Sequence, residues 1–188
     1  MIEIVEYRDE WPAEFSAIAD ALRRTLGEDA LRIDHIGSTA VPGLAAKDII
    51  DVQVTVAELH AALTERLAAA GYRVSEHEAD HRPSGMDLPD EQLRKRLVMN
   101  RPDHRRANIH LRIDGRFNQR YPLLCRDYLR THRGAADAYG QLKRALARIV
   151  VHDLDAFYDV KDPVFDILMA GATEWARASG WQPGPSDA

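Results

Sequence analysis

The sequence holds a single cysteine, Cys125, among its 188 residues. One thiol excludes an internal disulfide and a multi-cysteine zinc site, and so few cysteines are typical of a reducing compartment. An apolar run long enough to cross a bilayer and a signal-peptide pattern are both missing, so we expect a cytoplasmic protein without a membrane partner. Cys125 lies in an apolar stretch, which favours a buried, inert thiol over a nucleophile.

An excess of positive charge is also lacking, because the formal net charge is −5. The total charge therefore makes nucleic acid an unlikely partner, although a local basic patch stays open. The chain is 45% hydrophobic and long enough to form one core, so we expect one domain. The composition leaves the oligomeric state open.

The hydrophobic pattern predicts a sheet-containing core over residues 1–115, a helical half over 116–180 and a flexible tail over 181–188. Apolar residues at three- and four-residue spacing predict a helix over 11–26. The capping-box spacing of Thr55 and Glu58 predicts a second helix, which ends at Gly71. Strands or extended segments are predicted over 1–8, 31–36, 49–54, 72–75, 96–101 and 107–113, with a loop over 76–92.

Most of the chemical signal lies in residues 35–54, where a polar loop with glycines separates two apolar runs. Gly37, Ser38 and Thr39 end the first run, where free backbone N–H groups and two hydroxyls could bind a phosphate. The second run alternates, so Asp51 and Gln53 share one face of a strand. This pattern predicts a phosphate-binding loop beside a candidate metal ligand, Asp51. The alternatives are an ordinary turn for the loop and a solvated or ion-paired Asp51.

Two histidines and a loop lysine extend this candidate site. His110 shares a predicted strand face with Asn108 and Arg112, away from the apolar residues of the same strand. His35 and His110 could act as acid or base or position a substrate, and Lys47 suits a phosphate as a flexible point charge. The alternatives are two structural histidines and a solvated lysine.

The order of residues in this loop resembles the signature of the GrpB family, His35-Ile-Gly-Ser-Thr-Ala-Val-Pro-Gly-Leu-Ala-Ala-Lys47 followed by Ile49-Ile50-Asp51. The resemblance covers nearly the whole chain. It continues through Trp11-Pro12, Asn108-Ile-His110, Leu124-Cys-Arg126-Asp127-Tyr128-Leu129, Tyr139 with Lys143, and Tyr158-Asp-Val-Lys161.

The resemblance implies an α+β, nucleotidyltransferase-like fold, with helices on one face of a small mixed sheet and an added C-terminal helical bundle. In that superfamily a Gly-Ser pair holds a triphosphate, and carboxylates further along the chain bind magnesium. Twelve residues separate Ser38 from Asp51, which fits this spacing. Gln53 stands where the second acid would be, and an amide is a weaker magnesium ligand than a carboxylate.

One function implied by the resemblance is a magnesium-dependent nucleotidyltransferase. Ser38 and the amides of Gly37 and Thr39 would hold the phosphates, Asp51 would bind the metal, and His110 would position or deprotonate the acceptor. Lys47 would offset the phosphate charge. Further candidate ligand contacts are His35, Gln53, Arg126, Lys143 and Lys161; for the last three the alternative is a solvated helix face.

A second function is a catalytically degenerate module that binds a nucleotide, a coenzyme A precursor or another phosphorylated small molecule. Such a module could also be an accessory domain of a partner, because GrpB-like domains occur fused to dephospho-CoA kinase. Kinship at the level of the fold is weak support for chemistry. A purely structural or protein-interaction domain is the third alternative.

Overall fold

A computed structural model describes residues 2–188, apart from the side chain of residue 154. Within that part of the chain, five longer helices and five strands alternate with short 3-10 turns. The helices are α1 (Trp11–Leu26), α2 (Ala61–Ala69), α3 (Phe117–Thr131), α4 (Arg133–Ile149) and α5 (Leu154–Ser179). The strands are β1 (Arg32–Ile36), β2 (Ile50–Val56), β3 (Arg73–Val74), β4 (Lys95–Met99) and β5 (Ala107–Ile113).

The five strands form one mixed sheet in the order β1-β2-β5-β4-β3. Strands β2 and β5 are parallel, and the other neighbouring pairs are antiparallel. The register of the central pair sets Asp51 beside Asn108 and Gln53 beside His110. The α+β class and the mixed sheet that the family resemblance implies are thus confirmed.

One face of the sheet is apolar and covered by α1 and α2. Val52 and Val54 of β2 and Ile109 and Leu111 of β5 are fully buried there, because side chains alternate between the two faces of a strand. Helix α1 presents its apolar stripe to this face and ends at Gly27, whose φ is +59°. The other face carries the polar side chains of the same strands.

Helices α3, α4 and α5 form the bundle on the polar side of the sheet. They share a second apolar core, which includes Leu129, Tyr139 and Met169, with Val41 and Leu44 from the loop after β1. The bundle therefore packs against the loop that carries the predicted phosphate site. Among the described residues, no helix is both long and apolar enough to span a membrane.

The helix start predicted from Thr55 and Glu58 is wrong. Thr55 is a buried residue of β2, and its hydroxyl accepts a hydrogen bond from Gln119 Nε2 at 3.3 Å. Strand pairing and burial thus outweigh a local capping pattern, and α2 begins at Ala61. Within the predicted strand over 1–8, Val5 forms an isolated bridge with Ala46.

The final residues, for which the sequence predicts a flexible tail, form hydrogen bonds with β1. Ile33 N donates to Ser186 Oγ at 2.9 Å, and Ala188 N donates to Ile33 O at 3.1 Å. Asp187 pairs with Arg126 at 2.7 Å. The sequence gives no local sign of these contacts because each joins residues that are far apart in the chain.

Candidate functional site

A cavity of about 670 Å³ lies between the polar face of the sheet and the helical bundle. Strands β2, β4 and β5 supply its floor, and α3, α4 and α5 supply its walls. The loop after β1 and residues from the segment 77–83 complete its rim. The sheet pairing and the bundle thus bring together residues that lie far apart in the sequence.

Asp51 projects from the floor of this cavity, directly against Gly37. A Cβ atom at Gly37 would lie 2.5 Å from Asp51 Oδ2, and the φ of Gly37 is +70°, so only glycine fits here. Asn108 Nδ2 donates to Asp51 Oδ1 at 3.0 Å. Burial raises the pKa of Asp51, but His110, Asn108 and the charge of Lys47 together hold this pKa below its usual value. Asp51 is therefore an ionised carboxylate, and its side chain is 31% exposed.

His110 stands beside Asp51 with its Nε2 atom 3.9 Å from Asp51 Oδ1. Burial, and then the charge of Arg112, lower the pKa of His110 to about 4, so the ring is neutral at pH 7. Arg112 Nη2 lies 3.4 Å from His110 Nδ1. Because a guanidinium can only donate, we assign the proton of the neutral ring to Nε2. In this tautomer His110 offers the cavity a hydrogen-bond donor and no basic nitrogen.

Arg112 is the centre of a buried ionic network in the floor of the cavity. Its Nε and Nη2 atoms donate to the two oxygens of Asp80 at 2.7 and 2.8 Å. Lys95 Nζ donates to the same carboxylate at 2.6 Å, and Asn118 Nδ2 donates to it at 3.0 Å. Burial raises the pKa of Asp80, but the charges and hydrogen bonds of Arg112 and Lys95 outweigh it and lower that pKa strongly. Asp80 is thus fully engaged.

Gln53 joins this network and is completely buried. Its Oε1 atom accepts a hydrogen bond from Arg112 Nη1 at 2.9 Å, and its Nε2 atom donates to the backbone oxygen of Gln119 at 2.9 Å. Both ends of the amide are therefore occupied within the protein. The structure places Gln53 under the cavity as a link between the sheet and α3.

Lys143 crosses from α4 to the predicted phosphate loop. Its Nζ atom donates to Ser38 Oγ at 2.7 Å and to the backbone oxygen of Ala45 at 2.6 Å, and it lies 4.6 Å from the centre of the Tyr139 ring. Burial, and then the nearby charge of Lys161, lower the pKa of Lys143 to about 7. Lys143 therefore loses its proton more readily than an exposed lysine does, and an anionic partner would favour its charged form.

Two more lysines line the bundle side of the cavity among aromatic rings. Lys47 Nζ donates to the hydroxyl of Tyr158 at 2.8 Å. Lys161 pairs with Asp162 at 2.9 Å and lies 5.5 Å from the centre of the Phe165 ring. The wall therefore combines positive charge with flat apolar surfaces, a combination that suits a ligand with an anionic end and a ring.

Three of the predicted ligand contacts, His35, Thr39 and Arg126, form hydrogen bonds within the protein. His35 lies on the apolar face of the sheet, opposite His110, where its ring stacks on Phe15 at 4.8 Å. Its Nε2 atom bonds with the hydroxyl of Thr39 at 2.9 Å, and burial lowers the pKa of His35 to about 4. Arg126 donates to the backbone oxygen of His35 at 3.0 Å and pairs with the tail. These side chains hold the loop in place.

Arg112, Lys95 and Asp80 line the cavity, although none of them is among the predicted site residues. The alternation of β5 puts Arg112 on the face of His110, and this signal could have identified it. Lys95 lies just outside the predicted strand 96–101, and Asp80 lies in a segment whose pattern indicates only a loop. Cys125, by contrast, is buried as expected, and burial raises its pKa to about 12.

The donors present do not fit a two-magnesium site. No group of three or more histidine, cysteine, aspartate and glutamate side chains within the described residues could hold a metal ion together. Position 53, where a second acid would join Asp51, is Gln53, and Asp80 accepts hydrogen bonds from Arg112 and Lys95. Magnesium prefers several hard oxygen ligands in near-octahedral geometry. Asp51 is the one carboxylate of the predicted pair that this chain supplies.

The sequence is similar to proteins of one family along most of its length. A family model described as GrpB protein matches residues 1–170. A dephospho-CoA kinase of Mycolicibacterium paratuberculosis is 37% identical over 97% of this chain and 48% of that protein. A UPF0157 protein of Halalkalibacterium halodurans is 31% identical over 91% of this chain and 82% of that protein. The chain thus spans about half the length of the dephospho-CoA kinases that it matches.

The fold is similar to two kinds of solved structure. The crystal structure of the conserved protein GrpB from Enterococcus faecalis has a TM-score of 0.73 and 29% identity, and covers 93% of this chain and 99% of that chain. The Cid1 poly(U) polymerase has a TM-score of 0.51 and 15% identity, and covers 77% and 43% of the two chains. The second likeness shows the fold alone, and it confirms the nucleotidyltransferase-like architecture.

Proposed function

The chain belongs to the GrpB family, and from the geometry of its cavity we propose that it binds a nucleotide or a similar phosphorylated small molecule. The phosphates would lie beside Ser38 and Lys143, and the nucleoside would lie against the aromatic wall. The volume of about 670 Å³ falls within the range of about 300 to 1,000 Å³ that is typical of small-molecule sites.

The buried ammonium of Lys143 carries this proposal. Among the described residues, its two hydrogen-bond acceptors, the Ser38 hydroxyl and the Ala45 carbonyl, are both uncharged. Burying an ammonium without an anion is costly, and a phosphate oxygen forms a strong, charge-assisted hydrogen bond with it. A phosphate beside Ser38 would also meet the charge of Lys47. This arrangement favours an anionic ligand over a neutral one.

The aromatic side chains of the bundle support a nucleoside as the rest of the ligand. Tyr121 and Phe165 lie 5.5 Å apart between their ring centres, and Tyr158 stands next to Lys47. Any nucleobase stacks favourably on such rings, because stacking does not depend on the pattern of hydrogen-bond donors and acceptors of the base. The base itself is not specified by these contacts.

Thermal stability in the presence of ligands tests this proposal. ATP, GTP, CTP, UTP and dephospho-CoA are added singly, and the melting temperature is measured. A ligand at about 100 times its Kd should stabilise the protein by about 2.7 kcal/mol. Lys143→Gln should remove the shift, while Arg148→Gln, which removes an exposed charge from the same helix, should preserve it. The absence of a shift with every compound would refute nucleotide binding.

Nucleotidyl transfer would extend this binding function to catalysis. In that extension Asp51 would hold magnesium together with the ligand phosphates, and the Nε2–H group of His110 would position the acceptor by hydrogen bonding. Pyrophosphate release from a triphosphate with magnesium is the measurement. Release that is lost in Asp51→Asn supports transfer, whereas no release with any nucleotide and acceptor favours a binding module.

A role beside dephospho-CoA kinase is the second candidate function. The observation in its favour is that the chain matches about half the length of proteins with that name. We propose that the matched region of those proteins, and this chain with it, binds a coenzyme A precursor or assists the kinase. Stabilisation by dephospho-CoA at lower concentrations than by ATP would support it, and a preference for ATP would argue against it.

A further inference from the structure

We propose that this cavity holds its phosphates with lysine charges instead of a magnesium pair, so that ligand binding needs no divalent cation. The inference rests on the proposed binding function and narrows the ligand to a metal-free polyphosphate anion. It is carried by three observations on the cavity: the role of Gln53, the engagement of the other carboxylates and the balance of charge.

Position 53 is built into the support of the floor and does not face a ligand. The amide of Gln53 accepts from Arg112 and donates to the backbone oxygen of Gln119. A carboxylate at this position would keep the contact with Arg112 but would set an anion against the carbonyl of Gln119. Where a two-metal site would need its second acid, this chain therefore has a residue with a different structural task.

The other carboxylates of the cavity are already neutralised. Asp80 receives hydrogen bonds from Lys95, Arg112 and Asn118, and Asp162 pairs with Lys161. A cation that used Asp80 would have to displace buried, charge-assisted hydrogen bonds. Asp51 is left as the carboxylate that faces the cavity with free capacity for a new partner.

The charges around the cavity favour an anion. Six cationic side chains line it against three carboxylates. The cationic residues are Lys47, Lys95, Arg112, Arg126, Lys143 and Lys161, and the carboxylates are Asp51, Asp80 and Asp162. Lys95 and Arg112 share Asp80, Lys161 pairs with Asp162, and Arg126 pairs with Asp187. Within the described residues, the hydrogen bonds of Lys47 and Lys143 go to uncharged acceptors. Two such cations in a low-dielectric cleft attract an anion and disfavour a dication. The lysines thus supply the charge that magnesium supplies in a carboxylate site.

The decisive experiment compares binding with and without divalent cations. Isothermal titration calorimetry with ATP, and separately with inorganic triphosphate, is performed in EDTA and in magnesium. We expect binding in EDTA to be at least as tight as in magnesium, because the free anion carries more negative charge than its magnesium complex. Magnesium alone should produce no binding heat.

Two substitutions separate the lysine site from a metal site. Asp51→Asn removes a negative charge that faces the anion and should tighten metal-free binding, whereas a metal site would lose binding with it. Lys143→Gln should weaken binding about tenfold or more, because it removes a charge-assisted hydrogen bond. Arg148→Gln is the matched control on α4. Circular dichroism checks the fold, and Lys47→Gln replaces Lys143→Gln if the latter does not fold.

The outcomes distinguish this inference from the proposed function. Tight binding in EDTA together with tighter binding by Asp51→Asn supports the inference. Binding that requires magnesium, or that is lost in Asp51→Asn, overturns the inference and leaves nucleotide binding standing. The absence of binding under both conditions overturns both.

Discussion

The two faces of the central sheet are built from the same alternating strands, yet their side chains interact in different ways. On one face Val52, Val54, Ile109 and Leu111 are sealed under α1 and α2, and their burial stabilises the fold without directional contacts. On the other face the buried side chains of Gln53 and Arg112 have specific hydrogen-bond partners, because an unpaired buried polar group is destabilising. The comparison thus distinguishes two sources of stability: the burial of apolar surface on one face and the pairing of polar groups on the other.

The polar face itself has two layers. Gln53 lies beneath the cavity, and Arg112 and Asp80 line it while engaged with other protein groups, whereas Asp51 and Lys143 line it with capacity for a new partner. A polar position on this sheet is therefore no proof of ligand contact. Substitutions in the two faces and in the two layers should have different effects on stability and on binding.

Arg112→Met should have the largest effect on stability. It leaves Asp80 with a single cationic partner, Lys95, and leaves Gln53 Oε1 without its donor. Breaking a buried ion pair by removing one partner typically lowers the free energy of unfolding by about 3–5 kcal/mol. Urea denaturation measures the loss. Arg96→Met is the control on the neighbouring strand.

Arg96 pairs with Glu78, whose side chain is 60% exposed. An exposed pair contributes about 1 kcal/mol or less, so Arg96→Met should change stability little. Equal losses in the two variants would show that the network of Arg112 is no stronger than a surface ion pair.

Ile109→Ala should lower the free energy of unfolding by about 2–4 kcal/mol, because it leaves a cavity in the apolar face. The same side chain lies on the opposite side of β5 from His110 and does not touch the ligand cavity. Calorimetric binding below the melting temperature should therefore keep its Kd. A higher Kd in the folded variant would show that the apolar face also influences ligand binding.

Gly37→Ala should destabilise by about 1–3 kcal/mol, because its φ of +70° and ψ of −169° lie in a region that is almost restricted to glycine. It should also weaken ligand binding, since the new Cβ displaces the carboxylate of Asp51. Gly27→Ala is a matched control with φ +59° and no atom within 4 Å of its Cβ. Gly27→Ala should lower stability and leave the Kd unchanged. A loss of binding in this control as well would show that weaker binding follows from general destabilisation and not from the displacement of Asp51.

The smallest effect is a pH dependence of binding through Lys143. Burial and Lys161 lower its pKa to about 7, and a bound phosphate should raise it, so the complex takes up a proton above that pH. Affinity should then fall as pH rises from about 7, by at most about tenfold per unit. The charged or titratable groups that influence Lys143 are Lys161, Cys125, Asp51, Arg144 and Tyr139.

Calorimetry between pH 6 and pH 9 measures this slope, and Lys143→Arg, which stays charged, should give a flat profile. For the free protein the sign is opposite. Folding lowers this pKa from 10.5 to about 7, so the folded state binds fewer protons between those values. The stability contribution of Lys143 therefore rises with pH in that window. A flat binding profile in the unsubstituted protein would contradict a phosphate at Lys143.

Alternation along the strands predicted much of the site. It put Asp51 and Gln53 on one face of their strand and His110 on the polar face of its own strand, and the bounds of β5 agree with the predicted 107–113. Alternation cannot say which face is covered when both carry apolar residues. Ile33 and Ile36 lie on opposite sides of β1, so the pattern left the side of His35 undetermined.

The remaining part of the site depends on pairing between distant residues. Asp80 reaches Arg112 across 32 positions of sequence, and Lys143 reaches Ser38 across 105. No local propensity reports such contacts, because they form only when segments distant in the sequence come together in the folded protein. The same reason explains why the tail looked unstructured from its composition.

The tail also closes an edge of the sheet. Strand β1 lies at one end of the strand order, and Ser186 and Asp187 accept hydrogen bonds from the backbone N–H groups of Ile33 and His35. Free edge groups are a template for pairing with another chain, and β3 at the opposite edge has two residues. The arrangement thus gives a small open sheet little exposed edge on which cross-β aggregation could begin.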